Sequence, residues 1–158
     1  MAAGRLITFE GGEGAGKSTQ AQELADRLRR AGIDVVVTRE PGGTPFAEAV
    51  RGLILAPATP PHAALSEALL FYAARADHLD RLIRPALAAG RWVISDRFSD
   101  STRVYQSLVG GLPAAAFDTL EALVVGDTRP DLTIMLDLAA EAGLARAGAR
   151  RAGTTAAP

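Results

Sequence analysis

The chain has no cysteine, so it can form neither a disulfide nor a thiolate metal site, and an intracellular, cytoplasmic setting is the expected one. Its two histidines, His62 and His78, lie next to no Asp, Ser or Cys cluster, which removes the usual basis for a catalytic triad or a zinc site and leaves both as structural or solvated. No apolar run approaches the roughly 18 residues that a membrane span needs, and the N-terminus lacks the apolar stretch of a secretion signal, so a soluble chain with no membrane partner is expected. A net charge of −1 and a pI near 6.1 leave no broad positive field for polymeric nucleic acid. Small, phosphorylated partners fit better. Lysine is nearly missing as well: of the 17 basic residues, only Lys17 is a lysine.

That lysine lies in Gly11-Gly12-Glu13-Gly14-Ala15-Gly16-Lys17-Ser18, which matches the phosphate-binding pattern G-x-x-x-x-G-K-[ST] without a mismatch. The flanks have the required form. Residues 5–10 make a short apolar run of strand type, and 18–30 carry Ala21, Leu24, Ala25 and Leu28 at helical spacing. Between a strand and a helix, the glycines let backbone N–H groups turn inward onto phosphate oxygens, and the helix N-terminus adds partial positive charge. Lys17 reaches the β- and γ-phosphates, and the Ser18 hydroxyl is suited to Mg²⁺. Gly11, Gly12, Glu13, Gly14, Ala15, Gly16, Lys17, Ser18 and Thr19 are therefore the expected nucleotide-binding residues.

Strand-like and helix-like segments alternate along the rest of a length suited to one domain. Gly32 is placed to end the first helix, and 33–38 reads as a second buried strand. The Pro- and Gly-rich stretch 39–45 is a loop, 46–55 a helix, 56–61 a second break, and 63–88 a long helix with a bend expected near Pro85. Residues 91–96 form a third strand, 113–125 a helix and 132–137 a fourth strand, and 139–158 begins helical and ends in a low-complexity tail. This order predicts an α/β domain with a parallel sheet covered by helices on both faces.

The third strand ends at Asp96, at the edge where open parallel sheets bind ligands. A carboxylate there suits a Mg²⁺ ion beside the phosphate loop, and Arg97 next to it offers a bidentate fork for phosphate. Asp137 ends the fourth strand without an adjacent Arg and reads better as a helix cap.

Further motifs carry a resemblance. Phe9-Glu10-Gly11 runs into the phosphate loop, followed by Thr38-Arg39-Glu40-Pro41-Gly42-Gly43-Thr44, Leu70-Phe71-Tyr72-Ala73-Ala74-Arg75, Asp96-Arg97-Phe98, Tyr105-Gln106 and Pro130-Asp131-Leu132. In these the chain resembles the bacterial thymidylate kinases, nucleoside monophosphate kinases of the P-loop NTPase fold. The resemblance implies transfer of the γ-phosphoryl group of ATP to dTMP with Mg²⁺, and a homodimer formed through helices such as 46–55 and 63–88. It implies that Phe71 stacks on thymine while Arg75, one turn later on the same helix face, reaches the carbonyl edge of the base. Phe71 by itself also reads as a core aromatic of a Leu-rich helix. By the same resemblance Thr102 hydrogen-bonds the base, Tyr105 packs under the sugar, and Glu13 lies near the acceptor sugar and phosphate. Arg39 and Arg51 are possible acceptor-site cations. Lys17, Asp96 and Arg97 align and neutralise the transferring group, and because the phosphate loop holds no arginine, a lid arginine, Arg150 with Arg146 and Arg151 nearby, supplies the remaining charge. Members of the family continue past the position of Pro158 through the rest of the lid, further helices and a fifth core strand. A single kinase domain with four of the five core strands, and residues 139–158 as the start of the lid and a flexible tail, is thus expected.

Two other classes stay in view. A GTPase switch would need [NT]-K-x-D to read guanine, and with no second lysine that motif is impossible. A non-catalytic nucleotide-binding module, or a kinase for another nucleoside or monophosphate, shares the phosphate loop and remains an alternative.

Overall fold

In the computed structural model, residues 4–154 are described, with side chains as far as Ala149. The apolar runs form four parallel strands: β1 (Leu6–Gly11), β2 (Val35–Arg39), β3 (Trp92–Asp96) and β4 (Leu132–Leu136). They stand in the order β2-β3-β1-β4. Register sorts side chains to the two faces: Leu6 pairs with Val93 and packs on one side, while Ile7 pairs with Ile94 and packs on the other.

Each face is covered by helices. The Ile7, Phe9 and Ile94 side meets Ala21 and Ala25 of α1 (Lys17–Arg30), whose chain turns back at Gly32 as expected. The Leu6 and Val93 side meets Tyr72 of α3 (Ala64–His78), Ala86 of α4 (Arg84–Ala88), and Phe117 of α6 (Ala114–Val124). Before α3 comes α2 (Pro45–Leu55), whose N-cap Thr44 accepts the amide of Ala47. The connection leaving β1 crosses one face and that leaving β3 crosses the other, consistent with right-handed crossovers. A crevice opens between the carboxyl ends of those two strands.

Two segments depart from the sequence reading. The long helix 63–88 is helical throughout, but residues Leu79–Ile83 form a wide π-type turn just ahead of Pro85. Proline cannot donate to the carbonyl one turn earlier, and widening that turn accommodates the missing bond. The stretch after β3, for which the pattern showed no helix, holds α5 (Ser99–Thr102) and a second π-type segment, Arg103–Val109. A Ser-Asp-Ser-Thr start resembles a cap or turn, and a π-helix has no 3.6-residue apolar stripe to read. The last helix, α7, covers Ala140–Thr154 and so begins beyond Asp137, with Gly143 N–H donating to the Ala139 carbonyl; the expected capping role of Asp137 is not what is seen. The expected tail at 155–158 lies outside the described residues.

Candidate active site

The phosphate loop follows β1 and ends at Gly16, whose left-handed backbone leads directly into α1. Lys17 is buried, with Nζ donating to the carbonyls of Gly11 (3.0 Å) and Gly12 (2.6 Å). Burial, and then the positive charge of Arg97, lower its pKa below the ordinary lysine value, and Asp96, Glu10 and Glu13 offset this only in part. An anion held between Lys17 and Arg97 would relieve both penalties. Gly14, at φ 72°, lies so close to the Gly143 carbonyl that a Cβ would collide with it, and a Cβ on Gly143 would collide with the Glu13 carbonyl. The first turn of α7 therefore rests directly on the phosphate loop.

Ser18 Oγ donates to Asp96 Oδ2. A hydroxyl and a carboxylate oxygen thus meet beside the loop, the donor set a hard divalent cation takes. No group of three or more His, Cys, Asp or Glu side chains that could hold a metal exists among the described residues, so a Mg²⁺ ion here would draw its other ligands from phosphate and water.

Arg97 has a positive φ of 72°, a strained conformation for a residue with a side chain, and several bonds maintain it. Its N–H donates to the Phe9 carbonyl (2.9 Å), and its carbonyl accepts from Ser95 Oγ (2.7 Å). Glu10, buried at the end of β1, accepts from Phe98 N–H (2.8 Å) and from Ser101 Oγ (2.6 Å), and Ser101 Oγ accepts in turn from Arg97 Nη1 (2.9 Å). Burial pushes the Glu10 carboxyl above its usual range, against the pull of the Ser101 and Phe98 bonds and of Arg97. The chain Glu10–Ser101–Arg97 was not visible in sequence. Glu10 was noted only as part of a motif, and Ser101 carried no signal.

Beside Arg97 lies a cavity of about 220 Å³ that brings together Glu13, Phe71, Arg75, Arg97, Thr102 and Tyr105, all expected at one acceptor site, with Arg51, Glu40 and Phe98 completing its wall. Phe71 is half-buried at the cavity, while its neighbour Tyr72 is the residue in the core. Tyr105 lies under the Arg97 guanidinium, 5.5 Å from the ring centroid. Arg39 is not part of this wall. It donates to both Glu48 carboxylate oxygens (3.1 Å each) and faces a separate hollow with Ser18, Thr38 and Asp96. Thr19 is exposed on the outer face of α1. Arg146 is exposed on α7, and the side chains of Arg150 and Arg151 lie outside the described residues.

The charge at the back of the cavity is deeply buried. Arg75 donates from Nε to Glu40 Oε2 (2.7 Å) and from Nη2 to Thr102 Oγ1 (3.0 Å). Burial disfavours ionisation of both Glu40 and Arg75, but their mutual attraction outweighs it, holding Glu40 below and Arg75 above their ordinary values. His78 joins them through Nδ1, 3.0 Å from Glu40 Oε1. Of the two readings of His78, structural or solvated, its burial excludes the second, and its partners, remote in sequence, were not foreseeable from its neighbours.

A glycine loop after β1 with its lysine at the start of α1, an acid-arginine pair at the end of β3, and a deep pocket beside them define a P-loop kinase of small phosphorylated acceptors. Residues 9–156 match the family model for thymidylate kinase. The chain is 57% identical over 150 residues to a thymidylate kinase of Caulobacter vibrioides and 56% identical over 149 residues to one of Alcanivorax borkumensis, covering 95% and 94% of this chain and 72% of each relative. The crystal structure of thymidylate kinase from Ehrlichia chaffeensis, at 38% identity, superposes with a TM-score of 0.81 over 97% of this chain and 88% of that one. The chain belongs to the thymidylate kinase family.

Proposed function

We propose that this chain transfers the γ-phosphoryl group of ATP to dTMP, giving dTDP and ADP. The observation that carries the reading is the single cavity in which an aromatic face, a buried arginine and Tyr105 converge next to the phosphate loop and Arg97. Phe71 offers a stacking face, Arg75 a donor for a base carbonyl, and Tyr105 a ring beneath the sugar. Arg97 and Arg51 line the same cavity and would meet the acceptor phosphate.

In the reaction an acceptor phosphate oxygen attacks the γ-phosphorus of ATP, the new O–P bond forms, and the bond to the β-phosphate oxygen breaks to release ADP. That oxygen is already ionised near neutral pH, so no strong general base is needed, and the protein's part is alignment and charge stabilisation. Lys17 leaves the Gly11 and Gly12 carbonyls for the β- and γ-phosphates. Arg97, fixed by Ser101, spans the donor and acceptor phosphates, with Arg150 of α7 as the added lid cation. Ser18 and Asp96 would hold Mg²⁺, which would neutralise charge on the phosphate oxygens.

We further propose self-association through α2 and α3, which leave Phe46, Leu53, Leu55, Leu65 and Leu69 exposed. Leu69→Glu should then shift sedimentation toward the monomer. No described helix is long and apolar enough to cross a membrane, and ATP and dTMP as substrates favour the cytoplasm. The test of the reaction is acceptor competition with ATP and Mg²⁺. Product chromatography should show dTDP formed in preference to the products of dUMP, AMP or thymidine, and phosphorylation of thymidine but not dTMP would sink the assignment.

A further inference from the structure

Arg75 heads the fully buried side chains of the described chain, and a guanidinium is costly to bury unless every donor is used. Two of its nitrogens are used, by Glu40 and Thr102, and its faces pack on Tyr72 (4.8 Å to the ring centroid) and Phe98 (5.3 Å). The third nitrogen, Nη1, is buried without a partner among the described residues, in a residue that walls the cavity. It waits for an acceptor, which a bound ligand would bring.

What keeps Nη1 in place lies further back. Glu40 binds Arg75 with one oxygen and His78 Nδ1 with the other. An ionised carboxylate only accepts, so His78 carries its proton on Nδ1, and its Nε2 meets the Thr38 hydroxyl at 2.7 Å. Gly43 seals this last bond: at φ 90°, a Cβ there would stand 2.5 Å from both His78 Nε2 and Thr38 Oγ1. The chain Thr38–His78–Glu40–Arg75 thus runs from β2 through α3 to the wall of the cavity. Neither Thr38 nor His78 lines that cavity.

We propose that Thr38, His78 and Glu40 are positioning residues that hold the unpaired Nη1 of Arg75 toward the 4-position of a pyrimidine, and thereby set the choice of a 4-keto over a 4-amino base. The inference rests on the thymidylate acceptor reading above. A 4-carbonyl accepts from Nη1, whereas a 4-amino group sets donor against donor and leaves the buried nitrogen unpaired. That penalty discriminates only if the guanidinium cannot swing away. The Glu40 bond prevents the swing, and the His78 and Thr38 bonds keep Glu40 from following.

The test is equilibrium titration of the full chain with dTMP and with dCMP, which needs no turnover, on the parent and on Thr38→Val, Thr38→Ser and Glu40→Gln. The parent should prefer dTMP. Thr38→Val, which removes only the hydroxyl at the far end of the chain, should lower the ratio of dCMP to dTMP dissociation constants by about tenfold, the worth of one well-aligned hydrogen bond, through weaker dTMP binding. Thr38→Ser should restore the ratio, and Glu40→Gln should lower it at least as far. Equal weakening of both nucleotides, or an unchanged ratio in folded Thr38→Val, would overturn the positioning role while leaving the acceptor assignment intact. A parent that bound dCMP as well as dTMP would overturn the acceptor assignment itself, and the positioning role with it.

Discussion

Ser101→Ala isolates the support of Arg97 from its charge. The hydroxyl of Ser101 accepts from Arg97 Nη1 at 2.9 Å and donates to Glu10 Oε2 at 2.6 Å, so the substitution severs both bonds and removes a single oxygen. An arginine side chain carries about 2 kcal/mol of rotamer entropy, and a tethered guanidinium has surrendered much of it before substrate binds. Losing the tether therefore costs up to about 2 kcal/mol at the step where Arg97 must be aligned, which is a fall of up to about 30-fold in kcat/KM. The fold should be less affected than the reaction, because Glu10 keeps the Phe98 N–H and Arg97 keeps its backbone bonds to Phe9 and Ser95. Steady-state ADP formation at saturating ATP and varied dTMP, alongside thermal melting, separates the two effects. Values of kcat and KM within twofold of the parent, with melting unchanged, would refute the tether.

Three further outcomes are expected. Tyr72→Phe removes the hydroxyl that donates to Glu121 Oε2 at 2.8 Å in a buried setting, and stability by denaturant titration should fall by about 1–3 kcal/mol; no change would mean that water replaces the bond. Glu40 lies below its ordinary value of 4.5 in the folded state, so the unfolded chain binds its proton first as acid is added; the stability this pair contributes is full above that pH and is lost as pH falls through the folded-state pKa. Glu40→Gln should be less stable at neutral pH yet show a shallower loss in acid, and an identical acid slope would contradict the ionised pair. Gly143→Ala places a methyl against the Glu13 carbonyl and should loosen the start of α7, read as faster amide exchange over residues 140–149 with β1 and β3 unaffected.

The alternation of strands and helices was legible because each strand is a short, mostly apolar run, buried in β1 and β3 and exposed at the β4 edge, and α1 carries its apolar stripe at helical spacing. The segment 99–109 was not, since its polar start resembles a cap and its π-type turn has no apolar period. Arg39 shows the same limit at the site. A cation in a motif loop carries no mark of which way it faces, and Glu48, on the following helix, drew it away from the acceptor cavity.

What the sequence determined by itself was the phosphate loop, because Gly11 to Ser18 are contiguous and their chemistry needs only a strand before them and a helix after. The acceptor wall was readable in part through residue types and resemblance. Only the tertiary structure decided how buried charge is held there. Thr38 on β2, Glu40 in the loop after it, Arg75 and His78 on α3 and Thr102 on α5 are far apart in sequence, and it is their removal from water around a single guanidinium that makes each bond necessary. No local pattern encodes such a requirement, since it exists only once the helices close over the edge of the sheet.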